Sequence, residues 1–158
     1  MTRTQRTSTT VNASAADVWR ILADEFVDIS QWAGGVISSV PNPASPQGIN
    51  GSPVGGRVCD IKGVGLTDER IVTFDPDRRE IAYTVRAKGM PSFVESLTST
   101  WTIAPDGAAR SRVDMRIVAV TRGFMGAVGS IPLGRMLARE SAGLSADLKR
   151  HAETRAAA

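Results

Sequence analysis

Three kinds of chemistry-bearing residue are nearly missing: the 158-residue chain has one cysteine, one histidine and one tyrosine. A lone Cys59 excludes an internal disulfide and any cysteine-built metal cluster. Adding the lone His151 still leaves too few nitrogen and sulfur ligands for a zinc site, so no metal is expected. His151 also lies near the end of a terminal helical segment, where no serine triad has it within reach. No GxGxxG or GxxxxGKS pattern follows a strand, so no nucleotide cofactor is expected. Long apolar runs are absent too: none approaches the ~18–20 residues needed to span a bilayer, which argues against integral membrane association. The opening MTRTQRTSTTVN lacks the apolar core of a signal peptide, and the expected location is cytoplasmic. Aromatics make up 5% of the chain, and the net charge of +3 is spread along it rather than gathered in a block. That combination argues against a nucleic-acid partner.

What is present suits one globular domain, with 42% apolar and 22% charged residues. Thr-rich residues 3–11 suit a strand, in keeping with a sheet edge. Ser14 followed by Asp17 has the form of a capping box, opening a short amphipathic helix over 15–26 with Val18, Ile21, Leu22 and Phe26 on one stripe. Asp28 is expected to cap a second short helix carrying Ile29 and Trp32 and closed by Gly34-Gly35. Val36–Val40 reads as a strand. Residues 41–53, PNPASPQGINGSP, hold four prolines and two glycines and preclude a regular element. They read as a surface loop or as a flap over a cavity mouth.

Five strands separated by short turns follow: Val54–Ile61, Leu66–Phe74, Glu80–Lys88, Phe93–Ala104 and Ala109–Val120. Such a series predicts an antiparallel meander. The stretch 122–134 carries Gly123, Gly126, Gly129 and Gly134, which weaken a helix, and is expected to be flexible and to flank a cavity entrance with the 41–53 loop. From Pro132 to Thr154 the period becomes helical, with Leu133, Met136, Leu137, Ala138, Leu144 and Leu148 at spacings of three and four. Pro132 suits a first helical position, and the helix would run roughly 35 Å. The expected class is α+β: a seven-stranded antiparallel sheet around a long C-terminal helix.

Alternation along the strands sorts side chains by face. Ile81, Tyr83 and Val85 share one face, as do Leu97, Trp101 and Ile103, and Val113, Met115, Ile117 and Ala119. The same parity turns four polar groups inward: Arg57 in phase with Cys59, Glu69 with Ile71, Tyr83 between Ile81 and Val85, and Glu95 with Leu97. An unpaired buried charge costs several kcal/mol. These groups therefore either pair with each other, as Arg57 with Glu69, or line a wet cavity. If chemistry occurs, it would be acid–base work by Glu69 or Glu95, with Arg57 and Tyr83 polarising a carbonyl. Cys59 reads as a small buried hydrophobe. Arg110, Arg112 and Arg116 form an outward stripe, read as a solvated face or as a contact for an acidic partner or anionic membrane.

The element order, together with VNASAADVWRILADEFVDISQW at 11–32, GGRVCDI at 55–61 and DERIVTFDPDRREIAYTV at 68–85, resembles the START-like (Bet v 1-like, SRPBCC) superfamily and its polyketide cyclase/dehydrase branch. That resemblance implies a helix-grip fold with an apolar cavity between sheet and terminal helix, holding a small hydrophobic partner such as a lipid, polyketide or aromatic compound. The positions it implies for the cavity wall are Arg57, Cys59, Glu69, Tyr83, Glu95, Trp101, Met115, Leu133, Met136 and Leu137. Some members are cyclases or dehydratases and others carry or sense ligands, and the fold alone does not choose between them.

Overall fold

The computed structural model describes residues 1–158. Strand β1 (Thr2–Val11) is followed by helix α1 (Ala15–Trp19), a π turn over Arg20–Asp24 and a 3₁₀ helix over Phe26–Gln31. Strands β2 (Val36–Pro41), β3 (Gly56–Ile61), β4 (Gly65–Asp75), β5 (Glu80–Ala87), β6 (Val94–Pro105) and β7 (Ser111–Thr121) lead to helix α2 (Gly123–Ala156). The seven strands form one antiparallel sheet in the order β1-β7-β6-β5-β4-β3-β2. The expected α+β helix-grip architecture is the one observed.

Ser14 caps α1 as its spacing predicts: its Oγ accepts from Asp17 N at 3.1 Å and donates to the Asp17 carboxylate at 2.6 Å. The helix does not run evenly to residue 26. Glu25 N bonds to Arg20 O, five residues back, and this π turn leads into the 3₁₀ segment. Asp28 does not cap a second helix; it sits inside the 3₁₀ segment at a kink, with φ −84° and ψ 15°. The 41–53 loop is irregular, as its prolines require, yet it is tied down. Asn42 is 1% exposed and donates to Asp68 Oδ1 and Glu69 O of β4.

The largest departure concerns α2. It begins at Gly123 rather than Pro132, and its 34 residues span about 50 Å. Two of the glycines expected to weaken a helix serve close approach instead. A Cβ on Gly129 would lie 2.7 Å from Phe93 Cζ, and one on Gly126 would lie 3.1 Å from Thr121 Cβ. Pro132 sits mid-helix, where its ring deprives Val128 O of a partner; Val128 lies on the solvent side, so water can satisfy that carbonyl.

Helix α2 runs beside β1. Arg3 Nη2 donates to Ser130 Oγ (2.9 Å), Thr7 Oγ1 bonds Ser141 Oγ (2.9 Å) and Lys149 Nζ donates to Thr10 O (2.7 Å). Its C-terminal half is further held by the Glu25 carboxylate, which receives two hydrogen bonds from Arg155, and by Asp147, which accepts from Gly34 N. The buried stripe is Gly126, Ser130, Leu137, Ser141, Ser145, Leu148 and Ala152. Met136 does not belong to it and is 50% exposed, because adjacent helical residues are turned about 100° apart and Leu137 takes the inward position.

Of three bulges in the sheet, the one in β2 at Ile37 aside, two alter the parity on the inward face. One at Val72 lets both Ile71 and Phe74 face the core, where Phe74 stacks against Trp19 with ring centroids 5.3 Å apart. The other falls at Glu95, between Val94 and Ser96 of β6, and leaves that carboxylate exposed rather than inward. On the outer face Arg110 pairs with Asp106 and Arg112 with Asp114, so the expected basic stripe is largely neutralised.

Candidate ligand site on the concave face

Register places side chains in rows across the concave face. Arg57 lies opposite Glu69, Glu69 opposite Val85, Leu97 opposite Ala119, and Ala119 opposite Arg3. Thr84 faces Thr98, and continuing that register by one residue sets Val85 against Leu97. The next row is Ile71, Tyr83, Ser99 and Ile117.

Arg57 is the centre of the site. Its Nε donates to Glu69 Oε2 at 2.6 Å and its Nη1 to Phe26 O at 2.6 Å. The guanidinium lies 3.9 Å from the Phe26 ring centroid and 5.1 Å from that of Tyr83. Those rings meet edge to face at 5.3 Å. Gly56 makes the pairing possible, since a Cβ there would sit 2.1 Å from Glu69 O. Both charged side chains are almost wholly buried. Burial is the largest single influence on Arg57 and opposes its charge, but the facing Glu69 carboxylate together with Tyr83 and Cys59 outweighs it, and the guanidinium pKa ends above its ordinary value. Arg57 is therefore a permanent buried cation.

Tyr83 accepts from Trp101 Nε1 at 3.2 Å. Burial raises its pKa, with Arg57 acting in the opposite direction, so the phenol stays protonated. Burial also pushes the Cys59 thiol up, and its Sγ donates to Ser39 Oγ at 3.6 Å. Cys59 is an inert core group, not a nucleophile.

Of the positions expected to line a cavity, the structure brings Arg57, Cys59, Glu69, Tyr83, Trp101 and Met115 onto the buried concave face and sets Leu137 in the core beneath α2. Leu133 is half-buried against that core. Glu95 and Met136 face away from it. Arg57 and Glu69 do pair with each other, yet the pairing is incomplete. Glu69 Oε1 accepts no hydrogen bond, and Ser111 Oγ is the one unpaired side-chain polar atom sealed from solvent. Oε1 must then border accessible space. Two further features went unread in the sequence. One is the Phe26 carbonyl and ring that clamp Arg57, which lie on what looked like a purely apolar helix stripe. The other is the pair Val85 and Leu97, only partly buried between the buried Glu69 and Ala119 of their row.

A curved antiparallel sheet gripping a long terminal helix, with a charged pair on its concave face, defines a protein of the helix-grip class. The sequence matches the polyketide cyclase/dehydrase and lipid transport family over residues 2–153, and the chain belongs to that family. Among solved structures it is similar to the Zhui aromatase/cyclase of Streptomyces sp. R1128, with a TM-score of 0.75 and 20% identity over 98% of this chain and 96% of that one. It is similar to a Thalictrum flavum norcoclaurine synthase at TM-score 0.68 and 15% identity, covering 96% of each chain. A START superfamily protein from Mycobacterium smegmatis gives 0.66 and 14%, covering 97% of this chain and 96% of that one. At such identities the likeness establishes the fold alone. No curated protein matches the sequence, and no helix is long and apolar enough to cross a membrane.

Proposed function

We propose that the protein binds a small, mainly hydrophobic molecule on the concave face, with its apolar body over Val85, Leu97 and Leu133 and a polar end toward Arg57 and Glu69. One observation carries this reading: the inward-facing Val85 and Leu97 are only partly buried, between Glu69 and Ala119, which are both fully buried. Apolar side chains on a core-facing surface are stabilised by cover, and a ligand of matching shape supplies it. The free Glu69 Oε1 beside them selects a molecule whose polar end can donate a hydrogen bond, such as a hydroxyl or a protonated carboxyl, because a wholly apolar ligand would leave that oxygen unpaired. The lone, unpaired thiol of Cys59 fits a reducing, cytoplasmic setting.

Native mass spectrometry of freshly purified protein, joined to titration with a fluorescent fatty acid, tests the proposal. Retained small-molecule mass or micromolar probe affinity is expected. A ligand-free spectrum together with no measurable probe binding would overturn it.

A further inference from the structure

The outward face of the first half of α2 carries an apolar patch that no other part of the chain covers. Phe124 is 80% exposed, and Met125, Val128, Ile131 and Met136 lie between 50% and 63%. Phe124, Val128, Ile131 and Arg135 recur at spacings of four, three and four, so they form one stripe, and Arg139 continues it. From Arg122 to Arg139 the chain has three arginines and no acidic residue. None of the three is in an ion pair, in contrast to Arg110 and Arg112 on the outer sheet face. Arg135 and Arg139 share an open groove of about 380 Å³ with Ile131, Pro132, Met136 and Glu140, so charged and apolar groups face one space.

We infer that this face docks on an anionic bilayer surface, with Phe124, Val128 and Ile131 entering the headgroup boundary and Arg122, Arg135 and Arg139 meeting lipid phosphates. A helix lying in the interface plane has this make-up: an apolar stripe flanked by unpaired basic side chains. A second copy of the chain fits less well. The three arginines of one copy would meet those of the other, and like charges repel.

Cosedimentation with phosphatidylglycerol-containing vesicles, compared with phosphatidylcholine alone, tests the inference. Binding is expected on the anionic vesicles and weaker on neutral ones, with partial loss in high salt. Phe124→Gln/Ile131→Gln should lower vesicle affinity by on the order of tenfold. Arg135→Gln/Arg139→Gln should lower it by about 25-fold, roughly fivefold per arginine, and flatten the salt dependence. Arg110→Gln/Arg112→Gln should leave it unchanged. Both α2 variants replace exposed side chains and should keep the parent unfolding midpoint. Absence of binding to anionic vesicles would overturn the inference, as would equal binding by the parent and both α2 variants. A concentration-dependent dimer that Phe124→Gln/Ile131→Gln abolishes would reassign the face to self-association. Vesicle binding needs no molecule in the concave site, so this test and that of the proposed function fail independently.

Discussion

The concave face has two ends built by the same sheet and the same helix, and they differ in how α2 covers them. At one end Phe74, Ile81, Trp101 and Met115 are sealed beneath Leu148, Ala152 and the short helices. There α2 is also held by Arg155 to Glu25 and by Glu153, which accepts from both Asn12 N and Lys149. At the other end its inward positions are Gly126 and Ser130, whose side chains reach less far, and Val85 and Leu97 are only partly buried. The buried Arg57–Glu69 pair stands in the same row as these two side chains. The less covered end of the face is thus the one where the inward residues of α2 are smallest.

The largest effect should come from breaking the charged pair. Arg57→Met leaves Glu69 buried without its partner, which costs about 3–5 kcal/mol. The double variant Arg57→Met/Glu69→Leu should regain most of that in urea denaturation, because it removes both charges. Contrasting the two ends should come next. Leu148→Ala is expected to lose about 2–5 kcal/mol, and Leu133→Ala, only partly buried, less than half as much. Equal losses would contradict the division into sealed and less covered ends.

Glycines give a finer probe. A Cβ added at Gly134 would meet nothing within 4 Å, so Gly134→Ala should stabilise by about 0.5–1 kcal/mol through helix propensity. Gly129→Ala must displace the Phe93 ring and should forfeit that gain. The smallest effect is pH-dependent and belongs to the sealed end. Burial, then neighbouring Arg155, lowers the His151 pKa in the folded protein. The unfolded chain thus binds the proton more readily, and stability should fall as pH drops from about 6.5 through the lower folded value. His151→Gln should remove that part of the fall, read as the difference in urea midpoints between neutral and mildly acidic buffer.

The strand series and inward parity were legible because breakers such as Asp75-Pro76-Asp77 separate strands of clean alternation. Arg57, Glu69 and Tyr83 follow from that parity. Glu95 does not, since a bulge inserts one residue and reverses the alternation, and no residue type announces it. The start of α2 was hidden for a related reason. Gly126 and Gly129 look like helix breakers until their tight contacts with Thr121 and Phe93 are known. The Phe26 carbonyl that holds Arg57 is a backbone atom 31 residues away, beyond the reach of any pattern of side chains.

The most direct test of the concave site is to fill its less covered end. Leu97→Trp adds bulk where the face is only partly buried, away from the Arg57–Glu69 contact itself. In titrations with the fluorescent fatty acid, affinity should drop by on the order of tenfold while the unfolding midpoint holds. A folded Leu97→Trp protein that binds the probe as the parent does would contradict the assignment of the site to this end of the sheet.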